Sequence, residues 1–76
     1  MYTIIATTVR VNVVTNEEDV LGDATLATVD NEDRAYELRA QLADAMGYER
    51  SYSANEYVRD IEVNGPIVSR TYLSFA

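Results

Sequence analysis

The hydrophobic period changes twice along this chain, and those two changes constrain the fold more than any other feature. From Ile5 onward residues 2–15 alternate, with Ile5, Val9, Val11 and Val13 on one face and Thr8, Arg10 and Asn12 on the other. A period of two marks a half-buried strand, and a strand this long against a mode of about 5–6 residues predicts a bend or bulge. Between residues 31 and 46 the period becomes three-and-four: Ala35, Leu38, Leu42, Ala45 and Met46 form one apolar stripe. Alternation then returns at Glu56–Val63, where Tyr57, Arg59, Ile61 and Val63 face one way and Glu56, Val58, Asp60 and Glu62 the other.

The connections follow from local chemistry. Asn16-Glu17-Glu18-Asp19-Val20-Leu21-Gly22-Asp23 reads as an acidic loop, and Ala24–Val29 as a short second strand antiparallel to the first. Asp30 is placed to cap the helix, Glu32 and Asp33 beside Asn31 put negative charge in its first turn, and Gly47 offers a left-handed stop. Asn64-Gly65 signals a hairpin, with Pro66 complicating a two-residue turn. A turn at 64–65 sets Arg59 against Arg70, a repulsive pair. A three-residue loop over 64–66 instead pairs Asp60 with Arg70, Val63 with Ile67 and Tyr57 with Leu73. The second register is preferred, and it gathers Ile61, Val63, Ile67, Leu73 and Phe75 on one core face.

The expected architecture is a single α+β domain over residues 1–76, an antiparallel sheet of about four strands in β-β-α-β-β order with one helix on one face. A single helix leaves the other sheet face open. That face is expected to carry Val58, Val68 and Tyr72 beside Arg10, Asp60 and Arg70.

Composition then narrows the function. The chain has no Lys, His, Cys or Trp, so histidine bases, thiol nucleophiles, Schiff-base lysines and soft metal ligands are excluded. Its three glycines are isolated, so no phosphate loop exists. Neither Asn16–Asp19 nor Asp30–Asp33 has calcium-loop spacing. The expectation is no enzyme, no metal and no cofactor. A net charge of −7 argues against nucleic acid and anionic membranes as partners and toward a basic protein surface. No apolar run approaches the roughly 20 residues of a membrane span, and the first residues lack a basic signal-peptide region, so a cytoplasmic location is expected.

Asp30, Asp33, Glu37 and Asp44 fall on one helical face, away from Leu38 and Leu42. With Glu17, Glu18 and Asp19 they form the expected partner-binding set, an array of negative charge suited to a basic groove. Tyr48 and Tyr52, in the helix-to-strand connection, are the expected anchors. In size, acidity and lack of catalytic residues the chain is similar in general character to phage-encoded inhibitors of host defence or transcription, including anti-CRISPR proteins. That resemblance implies blockage of a nucleic-acid-binding surface by mimicry, in the host cytoplasm if the chain is phage-encoded. The alternative is a self-associating structural module whose acidity serves solubility, as in a high-salt organism. Its homodimer would form through the open sheet face or an edge strand such as residues 2–15.

Overall fold

The computed structural model describes the backbone of residues 1–51 and 56–76. Among them the chain forms strands β1 (Tyr2–Asn12) and β2 (Glu17–Val29), helix α1 (Glu32–Met46), then β3 (Glu49–Ser51), β4 (Glu56–Asn64) and β5 (Ile67–Phe75). The five strands make one antiparallel sheet in the order β2-β1-β5-β4-β3. The α+β class and single helix match expectation. The strand count does not, because β3 adds an edge within the helix-to-β4 connection.

The larger correction concerns residues 17–23, which are strand rather than acidic loop. β1 ends at Asn12, not residue 15, and Glu17–Gly22 runs back along it in register from Asn12↔Glu17 to Thr8↔Gly22. Side chains explain the tight reversal. Asn12 Oδ1 accepts from the backbone N–H groups of Val14 and Thr15 at 3.0 and 3.2 Å, Thr15 Oγ1 accepts from Glu17 N–H, and Asn16 takes the left-handed φ of 61° that asparagine tolerates. β2 lies at the sheet edge, so its carboxylates stay in water while its backbone pairs. Two bulges interrupt the ladder, opposite Ile4/Ile5 and Thr8/Val9, but the extra residues, Leu26 and Leu21, are on β2 rather than on the first strand, where a bend or bulge was expected.

The helix is capped by Asn31 rather than Asp30: Asn31 Oδ1 accepts from Arg34 N–H at 3.1 Å, three residues on. Gly47 closes it in the left-handed region at φ 78°. The buried line on α1 is Ala35, Arg39 and Ala43, with Leu38 and Leu42 half-buried and Ala45 and Met46 exposed. Two fully buried alanines let the helix lie close to the sheet.

Registered neighbours share a face, which assigns both sides of the sheet. Ile4, Ala6, Thr8 and Arg10 align with Phe75, Leu73, Thr71 and Ser69 on the helix side, where the Phe75 ring meets Tyr36 edge-on at 4.9 Å. Arg10 therefore lies on the helix side, not on the open face. Val58, Val68 and Tyr72, with Asp60 and Arg70, do lie opposite the helix.

The hairpin β4–β5 combines two registers. Its turn is Gly65-Pro66, with Gly65 at φ 61° where a primed hairpin turn needs positive φ, and Asn64 pairs with Ile67. Ile61 then bulges, which restores Asp60↔Arg70 and Tyr57↔Leu73 as expected. Val63 pairs with Val68, not Ile67. The bulge also moves Val63 to the face opposite Tyr57 and Arg59. Ile61 and Val63 are consequently 58% and 66% exposed rather than core.

The molecule measures 40 × 20 × 19 Å, and a 15-residue helix covers only about 22 Å of that length. Ile4 and Leu73 are fully buried under it. Beyond its C-terminus the buried residues are Val9, Val11 and Val68, on the other face. The core thus changes sides along the long axis.

Candidate acidic interface

α1 aims Asp33, Glu37 and Asp44 outward. At 100° per residue the three acids fall within about 40° of one another, their centre about 140° around the helix from the Ala35, Arg39 and Ala43 line. All three are exposed, and Glu37 Oε1 accepts from the Gln41 side chain at 3.4 Å one turn on. Asp30 is also exposed but precedes the cap, so the helix does not fix its direction.

The strand acids lie elsewhere. Glu17, Glu18 and Asp19 begin β2 at the far end of the sheet, and Asp19 is ten residues, about 33 Å of extended chain, from Val29 beside the helix start. Register puts Glu17 and Asp19 on the helix side with Asn12 and Arg10, and Glu18 on the open face with Val11. The expected array is therefore two separate groups. Tyr48 is half-buried just past the helix, its N–H donating to Ala43 O at 2.8 Å. Tyr52 lies outside the described residues.

Three of the six arginines are engaged away from this surface, while Arg34 is exposed on α1 beside Asp33 and one turn before Glu37. Arg39, 7% exposed, packs its guanidinium 4.6 Å from the Phe75 ring centroid, 5.2 Å from Tyr57 and 5.4 Å from Tyr36. Among the described residues no hydrogen-bond partner reaches its buried Nε. Arg59 donates from Nη1 to Met46 O at 2.9 Å, supplying positive charge to a helix end whose last turn has no basic residue. Arg70 Nε donates to Asp60 Oδ1 at 2.6 Å, and this hydrogen bond with its charge attraction, aided by Tyr72, raises the guanidinium pKa.

Sequence reasoning missed the role of Arg39. The signal was the four-residue spacing Ala35-Arg39-Ala43, which sets a charge in the middle of the smallest, most buried line on the helix. A shallow hollow, lined by Arg10, Glu62, Asn64, Ile67 and Ser69, continues the helix side of the sheet where the helix has ended. Among the described residues no cluster of three or more acids is arranged to hold a metal ion, and no helix is long and apolar enough to cross a membrane. Compared with known protein families, curated proteins and solved structures, the chain has no significant match.

Proposed function

We propose that this chain is a small acidic binding protein that occupies a basic, nucleic-acid-binding surface of a larger protein and blocks it sterically and electrostatically. The observation that carries this reading is the outward acidic face of α1, Asp33, Glu37 and Asp44, in a molecule whose Arg39, Arg59 and Arg70 are engaged internally. Its shape is compatible with that task. Thirteen carboxylates over 40 Å average one per 3 Å of length, near the roughly 3.4 Å phosphate spacing of one nucleic-acid strand. Six arginines reduce the net density, so the protein competes through the local arrangement of its acids rather than through total charge.

The helix group and the β2 group are far enough apart to touch different parts of one extended groove. Neither needs a cofactor, and the proposed action involves no bond making or breaking. The test is affinity capture from the native host, followed by competition between this protein and a duplex oligonucleotide for the captured partner. Asp33→Asn, Glu37→Gln and Asp44→Asn together should weaken binding roughly 10- to 100-fold, at about 0.5–1 kcal/mol per exposed charge. Undiminished binding by the triple variant, or a partner that holds nucleic acid equally well in its presence, defeats the reading.

A further inference from the structure

The two edges of the sheet are unequal. β3 closes one side with three residues, whereas β2 runs for thirteen along the other, and residues 17–26 of it are all exposed. β2 is hydrogen-bonded to β1 alone, so on its outer side alternate backbone N–H and C=O groups face away from the sheet. Its two bulges, at Leu21 and Leu26, divide that edge into straight stretches. The first, residues 17–20, keeps unbroken register with residues 9–12 of β1 and carries three of the strand's four acids. We propose that this stretch takes a lysine- or arginine-rich extended segment of the partner protein as an added strand, held by main-chain hydrogen bonds and selected by charge.

Charge decides the occupant. β2 holds Glu17, Glu18, Asp19 and Asp23 and no basic residue, so pairing with a second copy brings twice those carboxylates to one seam with no cation between them. That repulsion and the two bulges guard the edge against its own kind. A cationic strand reverses the sign of the same pairs. On β1, Asp19 has Arg10 beside it, but Glu17 and Glu18 neighbour the uncharged Asn12 and Val11 and have no cation on the adjoining strand. Nucleic acid is repelled by the carboxylates and has no peptide ladder to offer the backbone.

Side-chain alternation sets the pattern the segment must carry. Register places Glu17 and Asp19 on the helix side of the sheet and Glu18 and Val20 on the other. Basic residues two apart in the added strand therefore meet Glu17 and Asp19. The residues between them lie beside Glu18 and Val20, whose side chain is 67% exposed, so an alternation of basic and β-branched residues fits both faces. The inference deepens the acidic-binder reading and rests on it for the basic character of the partner.

The probe is an acetylated and amidated nonapeptide of alternating lysine and valine, titrated into the isotope-labelled full chain and followed by NMR. The expected result is a dissociation constant of about 1 mM or below in about 0.1 M NaCl, weaker in about 1 M NaCl. In the complex, alternate β2 amides should exchange with solvent at least about 10-fold more slowly. Glu17→Gln, Glu18→Gln and Asp19→Asn together, checked for folding by circular dichroism, should weaken the complex roughly 3- to 100-fold. Asp33→Asn, Glu37→Gln and Asp44→Asn together should leave it within about 2-fold, because the helix lies beyond screening distance. The same peptide methylated at every backbone N–H keeps its charge but cannot donate to a ladder. If it binds as tightly as the parent, or if β2 amides exchange unchanged in the complex, the proposal is overturned. It is overturned equally by a peptide that does not bind, or by β2 protection that grows with protein concentration alone, which gives the edge to a second copy. A helix face that competes for the captured partner while the peptide leaves β2 untouched sinks this inference only. A captured partner that ignores the helix variant sinks the helix-face reading even where the peptide pairs with β2.

Discussion

Replacing Arg39 with methionine tests whether the three surrounding rings suffice to hold its charge. Each guanidinium–ring contact contributes about 0.5–1 kcal/mol when exposed and about 2 kcal/mol when desolvated. Tyr36 is 47% exposed, so the three contacts together stabilise by about 2–4 kcal/mol. Opposing them, an unpaired buried Nε costs about 1–3 kcal/mol, and moving the charge into a site 7% exposed costs more. Methionine keeps an unbranched stem, meets the rings through sulfur at about 0.3–1.5 kcal/mol per contact, and removes both penalties. The terms offset to within about 1 kcal/mol, so Arg39→Met should melt within about 4–8 °C of the parent. Arg39→Ala leaves the rings over a void and should lose about 2–4 kcal/mol, or roughly 10–30 °C. Thermal unfolding followed by circular dichroism reads both variants. If methionine costs as much as alanine, the charge has an ionic partner and the ring account fails.

Other consequences of the fold are open to the same unfolding assays. Asn31→Ala should cost about 1 kcal/mol while Asp30→Ala stays within about 0.5 kcal/mol, and the reverse ranking would return the cap to Asp30. Gly47→Ala should cost about 1–2 kcal/mol from the left-handed backbone alone, because open space surrounds the position a Cβ would take. Leu73→Ala, at a fully buried site, should cost about 2–5 kcal/mol, and a loss below 1 kcal/mol would mean the sheet–helix core is looser than described. A double-mutant cycle on Asp60→Asn and Arg70→Gln should give a coupling of only about 0.2–1 kcal/mol, because the pair is partly solvated, and that coupling should shrink in 1 M NaCl.

What could be read from sequence was whatever depended on neighbours a few residues away. The C-terminal end of the helix followed from Gly47, whereas the cap expected at Asp30 lies one residue later, at Asn31. Reach decides it: the Asn31 side chain meets the N–H three positions into the first turn. The outward direction of Asp33, Glu37 and Asp44 followed from the helical angle. Avoiding the Arg59–Arg70 clash selected the register of the hairpin interior, although the Ile61 bulge near its tip left no mark in the pattern.

Long-range pairing was not legible. Carboxylates are depleted from strands, so Glu17–Asp19 resembled a loop until β1 was seen to hold them in an edge ladder. The spatial split of the acidic residues was hidden by the same reading, since a loop could fold back to the helix and a 13-residue strand cannot. Arg39 was obscured because the expected apolar stripe, Ala35, Leu38, Leu42, Ala45 and Met46, left it out, whereas the buried line is Ala35, Arg39 and Ala43.

The order β2-β1-β5-β4-β3 sets the first strand in hydrogen-bonded register with the last, Ile4 against Phe75, across almost the whole sequence. The two hairpins can form early from nearby residues, but the seam joining them closes only after a loop containing the helix has been drawn together. Loop-closure entropy is spent before this pairing returns any contact, which places folding among the slower topologies, in milliseconds to seconds rather than microseconds. Until the seam closes, β1 exposes an unpaired edge rich in valine, isoleucine and threonine, and β5 one that carries Ile67, Val68, Tyr72, Leu73 and Phe75. For a chain this acidic, mutual repulsion between copies is then the protection against aggregation during that interval.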